Sequence, residues 1–366
     1  MWFVRAVAAI AGVTLVVSTV MSAVRTFVVP RSLPVVLSRV VFLVTERAFR
    51  ASLWRRRDDY AAVDRRLVFY APVTLLALPG VWLTLVLVGY ALVYGALGEP
   101  PWRAVELSGS SLLTLGFDHP TGRVAALAGF TEAALGIGLL ALLITYLPTI
   151  YAAFGRRETL VSLVAVRAGS PPSAVTMLER YHRIGLMPRS DDLWDRAEVW
   201  FADVEESHSS IGALAFFRSP DPDRSWITAA GALLDGAALS LAALDVPTSP
   251  QAQLCIRSGY LALRRIADFF AVEYDHDPAP TDPISIERAE FEDALDRLAA
   301  VGAPVVADRD RAWRDFAGWR VNYDTVLLAL AALTAAPRAP WSSDRATEVP
   351  RPPILGRRPR RNRRAS

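Results

Sequence analysis

A short polar stretch between two long apolar segments carries the groups best suited to hold a ligand. It runs Glu106-Leu107-Ser108-Gly109-Ser110-Ser111-Leu112-Leu113-Thr114-Leu115-Gly116-Phe117-Asp118. The stretch is too short and too polar to cross a bilayer, whereas each flanking segment is long enough. Gly116 frees backbone angles that other residues avoid, and the Asp118 carboxylate attracts cations. We expect a loop that dips between two membrane spans; the alternative is a re-entrant or extracellular loop that holds no ion.

The end of this stretch resembles the pore loop of bacterial two-helix potassium channels. That family's loop reads Thr-Val-Gly-Tyr-Gly, and its backbone carbonyls replace the water around the ion. Thr114, Leu115, Gly116 and Phe117 match four of these positions, two of them conservatively. Asp118 stands where the second glycine is expected, and Phe117 lacks the tyrosine hydroxyl. The resemblance covers about 67–154 and implies an ion filter at Thr114–Asp118.

The resemblance also implies a permeant monovalent cation, potassium first, and no other cofactor. One loop per chain cannot close a filter, so a homotetramer is implied. The resemblance does not imply strict potassium selectivity. Asp118 departs from the family pattern, and four carboxylates at the mouth of the pore would attract cations generally. The alternative function is a membrane-anchored scaffold or sensor that keeps the architecture and conducts nothing.

Three residues of the segment after the loop are candidates for a gating hinge. Gly136 and Gly138 relax backbone sterics, and Pro148 removes a backbone donor and is expected to kink the inner end of the span. Gly129, Gly136 and Gly138 are also small residues that suit close helix packing. Hinge and packing are both open interpretations of these glycines.

Composition indicates a membrane half and a soluble half. Of 366 residues, 52% are hydrophobic and 21% charged, with a mean hydropathy of +0.27, values typical of a membrane protein. The apolar residues concentrate in the first 155. The net charge of only +3 gives a nucleic-acid role little support. We therefore predict an all-α membrane protein with three transmembrane helices, a re-entrant pore loop and an all-α cytosolic domain.

The domain boundaries follow the apolar segments and the arginines. We predict a first transmembrane helix in 1–24, an Arg-rich segment in 25–66, a pore domain in 67–155 with its pore helix at about 102–113, and a cytosolic domain in 156–336. Residues 25–66 carry ten Arg against four acidic residues, which places this segment on the cytoplasmic side. The N-terminus is then outside and the C-terminus inside a multi-pass inner-membrane protein. The Arg-rich segments are candidates for contact with anionic lipid.

Helical periodicity and cap residues run through the second half. A serine followed by prolines at 170–172 predicts one helix start, Ser225 and Ser249-Pro250 predict two more, and Asp282-Pro283 predicts another. The periodicity of 191–217 and of 308–336 predicts one helix each. The Pro- and Arg-rich residues 337–366 are expected to be a disordered tail.

Other candidate chemistry is weaker. Glu205, Glu206 and His208 could form a metal site, with His182 as a further ligand. His208 falls on an apolar helix face, however, and a buried core residue is the simpler interpretation. Cys255 lies in an apolar helical pattern and predicts a buried structural thiol. No Gly-rich phosphate loop or nucleophile elbow occurs, so we expect no enzyme, no catalytic residue and no metal site.

Overall fold

Every regular element is helical in the computed structural model, which describes residues 2–27, 36–53 and 60–345. The first helices are α1 (Trp2–Phe27), α2 (Val36–Leu53), α3 (Tyr60–Leu67), α4 (Tyr70–Leu97), α5 (Pro101–Leu112) and α6 (Arg123–Ala168). The others are α7 (Ala174–Arg183), α8 (Asp191–Ser210), α9 (Trp226–Ala243), α10 (Pro250–Phe269), α11 (Arg288–Ala300), α12 (Arg309–Arg320) and α13 (Asp324–Leu333). Within these ranges the only β pairing is an isolated bridge between Leu244 and Val305. The prediction of an all-α chain is confirmed.

The chain divides into two compact units. The first unit comprises Met1–Arg55 and Phe69–Ala152, and the second comprises Arg56–Val68 and Ala153–Ser366. Helices α1, α2, α4 and α5 belong to the first unit, whereas α3 and α7 to α13 belong to the second. Helix α6 contributes residues to both.

Within the described ranges, four helical stretches are long and apolar enough to cross a membrane: Trp2–Thr26, Asp64–Leu97, Arg123–Ala168 and Trp226–Ala243. The chain itself buries 28%, 33% and 17% of the apolar window in the first three, but 94% in the fourth. Exposed apolar surface of this length is stable in lipid rather than in water, so the chain is a membrane protein. The fourth stretch, α9, is instead covered by neighbouring helices, as expected of a helix that is apolar on all sides.

Two glycines bring α1 and α4 together in the first unit. A Cβ on Gly12 would lie 2.4 Å from the Gly89 carbonyl oxygen, and a Cβ on Gly89 would lie 2.6 Å from a Val16 methyl. The Trp82 indole also donates to Ser22 Oγ at 3.3 Å. Small residues therefore permit a close backbone approach, the usual mode of helix packing in membranes.

Helix α2 packs on the beginning of α4. Thr74 Oγ1 donates to Thr45 Oγ1 at 2.9 Å, and the rings of Phe49 and Tyr70 meet edge to face with centroids 5.7 Å apart. The predicted Arg-rich segment is helical in all of its described residues. Its remaining residues, 28–35 and 54–59, lie outside the described ranges.

The second unit is built around α9. An ion-pair network joins this helix to α12 and α13. The buried Arg320 guanidinium contacts Asp235 of α9 and donates to Asp324 Oδ1 at 2.7 Å. The Tyr323 hydroxyl donates to Asp235 at 2.9 Å, and Arg320 Nη2 donates to the Trp341 carbonyl at 2.6 Å. Every charged group of this network is paired, which buried charge requires.

Four predicted helix boundaries are wrong. Helix α7 is capped by Ser173 rather than by the serine and prolines at 170–172. The Asp282 carboxylate accepts from the Ala279 backbone N–H at 2.8 Å and so closes a turn before it; the following helix, α11, starts with a capping box between Glu287 and Glu290. The predicted helix 308–336 is two helices, α12 and α13, and the predicted helix 191–217 ends at Ser210 before a 3₁₀ turn at Gly212–Phe216. Neither break is marked by proline.

The beginning of the predicted disordered tail is ordered. Within 337–345, Ala339, Trp341 and Ser342 are buried. Arg345 forms a salt bridge with Glu290 at 2.5 Å, so this segment is fastened to α11. The prediction is wrong for 337–345, while 346–366 lie outside the described residues.

Candidate functional site

Helix α5 lies at the position predicted for the pore helix, a name that it keeps from that prediction, and a short loop follows it. Pro101 occupies the first turn, where a missing backbone N–H is tolerated. Leu115 N donates to the Ser110 carbonyl at 2.8 Å and Thr114 N to the Ser111 carbonyl at 3.1 Å. These bonds end the helix, and the chain continues as residues 113–118, hereafter the filter loop.

The filter loop has positive φ at alternate residues. φ is 54° at Thr114 and 69° at Gly116. Glycine adopts such angles freely, but a β-branched residue rarely does, so Thr114 is a strained position of the kind that accumulates at functional sites. Asp118, by contrast, has no positive φ. Position 118 therefore carries no backbone strain of this kind, although a side chain replaces the glycine of the family pattern there.

The backbone carbonyls of the filter loop are available to a ligand. Residues 114–117 are all exposed, with Leu115 60% and Phe117 65% exposed. Among the described residues, no N–H or O–H group donates to the carbonyl oxygens of Thr114, Leu115, Gly116 or Phe117. Buried carbonyls are nearly always paired, whereas these four remain free on the surface of a single chain.

Ser110 fixes the far end of the filter loop to the pore helix. Its Oγ donates to the Asp118 carbonyl at 3.1 Å and accepts from the Asp118 N–H at 3.2 Å. The loop is therefore closed over itself by one side chain of α5. Sequence reasoning did not single out Ser110, although its position eight residues before Asp118 within the serine-rich end of α5 is a usable signal.

Arg103 neutralises the acidic groups beside the filter loop. Its Nε lies 3.1 Å from Glu99 Oε2, and its Nη2 lies 3.7 Å from Asp118 Oδ1. The side chains of Arg103 and Asp118 are 45% and 26% exposed, so solvent screens this pair. Asp118 is thus a partly compensated carboxylate rather than a bare negative charge.

The pore helix lies deep against its neighbours. Ser108 Oγ donates to the Leu87 carbonyl at 2.9 Å, and Leu87 precedes the end of α4 at Leu97 by ten residues, about 15 Å of helix. A Cβ on Gly136 of α6 would lie 2.0 Å from the Leu112 carbonyl oxygen. Gly136 is thirteen residues, about 20 Å, from the start of α6 at Arg123.

A buried acid joins the three helices at this depth. Glu132 of α6 is fully buried. Its Oε2 accepts from the Tyr94 hydroxyl of α4 at 3.0 Å, and its Oε1 contacts Ser108 Oγ of α5. One turn away along α4, the hydroxyls of Tyr90 and Thr131 lie 2.9 Å apart. Sequence reasoning missed Glu132, although an acid inside an apolar span is itself a functional signal.

The three hinge candidates lie in different surroundings. Gly136 packs against the end of the pore helix, whereas a Cβ on Gly138 would meet no atom of the chain within 4 Å. Pro148 lies inside α6, and the helix continues past it to Ala168. The packing interpretation therefore accounts for Gly136; a hinge role of Gly138 or Pro148 stays a prediction.

The acidic and histidine candidates in the second unit form no cluster. His208 is fully buried against the Trp226 ring, and its Nε2 lies 3.3 Å from Arg157 Nη1. Glu205 pairs with Arg265 at 3.1 Å and Glu206 accepts from Ser210 at 3.2 Å. No group of three His, Cys, Asp or Glu residues that could hold a metal occurs in the described part of the chain.

Two buried side chains of the second unit, His208 and Cys255, have shifted pKa values. Burial lowers the pKa of His208 well below its ordinary value, and the Arg157 charge lowers it further. Burial raises the pKa of the Cys255 thiol, so this cysteine stays protonated and unreactive.

No protein-family model, curated protein or solved structure matches this chain.

Proposed function

We propose that the chain is the subunit of a homotetrameric cation channel, and that α1, α4 and α6 cross the membrane. The exposed apolar surface of these three helices supports this assignment, and α9 needs no lipid because its own unit covers it. In this arrangement α5 enters the membrane from one side and the filter loop returns to that side. The contacts of Ser108 and Gly136, about 15–20 Å along their neighbouring helices, support an entry to roughly half of a bilayer core of about 30 Å.

The observation that carries the proposal is the row of free carbonyls at 114–117. Carbonyl oxygens that accept no hydrogen bond within the chain are suited to replace the hydration shell of a cation. Gly116, with a φ of 69°, supplies backbone freedom to such a row, and Thr114 holds a positive φ of 54° despite its strain. The negative end of the α5 macrodipole also lies at the beginning of the filter loop and favours a cation there.

Four chains are needed because one filter loop offers carbonyls from one side only. The apolar side chains of Leu127, Phe130, Ile137 and Ile144 are exposed along α6 in the single chain. We propose that part of this surface packs on neighbouring subunits and part on lipid.

The permeant ion that we propose is a monovalent cation, potassium first. The likeness of Thr114–Phe117 to the potassium-channel loop supports potassium. Arg103 partly compensates the charge of Asp118, which supports a weaker general attraction for cations than four bare carboxylates would give. Strict selectivity over sodium is not part of the proposal.

The orientation that we propose places the N-terminus and the filter loop outside and the second unit in the cytoplasm. The arginine excess in 25–66 supports it through the positive-inside rule. Contact of Arg-rich segments with anionic lipid, in a bacterial inner membrane, belongs to the same proposal. Reporter fusions at Gly98 and Ser366 test it: opposite signals are expected, and matching signals would contradict three spans.

Assembly and ion flux test the function together. The full-length protein, purified in detergent, is expected to be a tetramer by native mass spectrometry and to release potassium from loaded liposomes after reconstitution. A monomer or dimer would contradict the channel. A tetramer without flux would favour the non-conducting scaffold or sensor.

A further inference from the structure

The hydroxyl of Ser108 faces two acceptors and has only one hydrogen. Its Oγ lies 2.9 Å from the Leu87 carbonyl oxygen and is also in hydrogen-bond contact with Glu132 Oε1. A serine hydroxyl donates one hydrogen bond and can accept others. If Glu132 were ionised, that single hydrogen would have to serve both a carbonyl and a carboxylate, and one of the two contacts would join two acceptors.

The surroundings of Glu132 offer no charge to balance a carboxylate. Its second oxygen, Oε2, accepts from the neutral Tyr94 hydroxyl at 3.0 Å. The side chain is fully buried, and among the described residues no arginine or histidine forms an ion pair with it. A buried charge without a partner is very costly, and a buried carboxyl avoids that cost by keeping its proton.

We propose that Glu132 is a positioning residue that acts as a neutral carboxylic acid. The protonated oxygen Oε1 donates to Ser108 Oγ, the Ser108 hydroxyl donates to the Leu87 carbonyl, and Oε2 accepts from Tyr94. Each of these three contacts then joins one donated hydrogen to one acceptor atom, and α4, α5 and α6 are joined at one point.

The consequence concerns the filter loop and rests on the proposed channel function. Ser108 lies two residues before Ser110, which closes the filter loop through Asp118. A pore helix held at Ser108 keeps Ser110, and with it the free carbonyls, in place. Loss of the hydrogen-bond chain should therefore loosen the pore helix and lower conductance without unfolding the second unit.

Glutamine separates a neutral acid from a carboxylate in the test. In Glu132→Gln the amide N–H₂ donates to Ser108 and the amide oxygen accepts from Tyr94, so the bonds of the neutral acid are reproduced. We expect Glu132→Gln to keep the amide hydrogen exchange of 101–115 and the conductance near wild type. Glu132→Ala and Ser108→Ala should exchange about tenfold faster there, because each removes two hydrogen bonds. Glu106→Gln, on α5 with Ser108, is the matched control.

Infrared spectroscopy reads the proton directly. The difference spectrum of full-length wild type minus Glu132→Gln in liposomes at pH 7 should show the carbonyl band of a protonated carboxylic acid as a positive band. A positive carboxylate band instead would overturn the proposal, as would a Glu132→Gln variant that behaves like Glu132→Ala while wild type conducts. If wild type passes no ion but the infrared and exchange results hold, the channel fails and the neutral hydrogen-bond chain stands.

Discussion

Gly136 of α6 meets the carbonyl oxygen of Leu112, the last residue of the pore helix, so closely that an added Cβ would lie 2.0 Å from that oxygen. A backbone atom cannot swing aside as a side chain can, so the two helices would have to separate. This contact packs Gly136 against the end of the pore helix, directly before the filter loop.

Alanine substitutions at the two glycines of α6 should have opposite effects. Gly136→Ala is expected to cost about 1–3 kcal/mol through overpacking and to lower conductance. Gly138→Ala should be neutral or stabilising by about 0.5–1 kcal/mol, because alanine favours helix and no atom of the chain lies within 4 Å of the new methyl. Thermal unfolding of the full-length variants in detergent measures both. Equal midpoints for the two variants would contradict the packing assignment.

The charge at the filter mouth should respond to Arg103. Arg103→Gln removes the cation that lies 3.7 Å from Asp118 and should raise cation conductance at low salt. Asp118→Asn should lower it, and the double variant should resemble Asp118→Asn. The differences should fade towards 1 M salt, where the screening length is about 3 Å. Single-channel conductance across a salt series measures this; an effect that persists at 1 M salt would point to a structural change instead.

The positions of helix α5 and of the loop after it could be predicted because their signal is local. A polar run between two apolar segments, proline in the first turn and Gly116 before Asp118 all lie within about twenty residues. What could not be predicted depends on distant partners. Glu132 meets Ser108 and Tyr94 across 24 and 38 residues, and Arg103 reaches Asp118 only because α5 and the filter loop fold back on each other.

The second unit shows the same division between local and distant signals. Ser225 and Ser249 cap α9 and α10 as predicted. The break between α12 and α13 falls at 321–323, where no glycine or proline marks it. Burial of Trp341 likewise depends on contact with Phe316, at a centroid distance of 5.7 Å, which composition alone does not show. Helix caps can therefore be predicted from the local sequence. Helix breaks and the order of residues 337–345 depend instead on tertiary contacts.

Acid should destabilise the second unit through His208. Its pKa is lowered by burial and by Arg157, so the folded protein holds it neutral while the unfolded chain protonates it near pH 6.5. The stabilisation is complete above about pH 6.5 and is lost as pH falls towards the folded pKa, at up to about 1.4 kcal/mol per pH unit. His208→Gln should flatten this part of the stability curve. Denaturant unfolding of full-length protein from pH 7.5 to 5 measures it, with the partly exposed His182→Gln as control. A curve for His208→Gln parallel to wild type would contradict the assignment.

Loss of one charge from the ion-pair network at Asp235 of α9 should lower the stability of the second unit. Arg320→Met leaves the carboxylates of Asp235 and Asp324 buried without their cation, and we expect a loss of about 3–5 kcal/mol. Arg311→Met, on the same helix but with a side chain 74% exposed, should change stability by less than about 0.5 kcal/mol. Chemical unfolding followed by circular dichroism compares them. A small effect of Arg320→Met would show that the network is not needed for the core.

Single-channel recording of Gly116→Val against Gly122→Val tests the filter most directly. Both glycines have positive φ, 69° and 94°, and neither has an atom within 4 Å of an added Cβ, so the two substitutions impose the same kind of backbone strain. Only Gly116 lies among the free carbonyls. In planar bilayers with potassium on both sides, the account predicts cation currents from tetrameric wild type and from Gly122→Val, and none from Gly116→Val. A wild-type tetramer that passes no cation at any voltage, or a Gly116→Val variant that conducts like wild type, would contradict a filter built from these carbonyls.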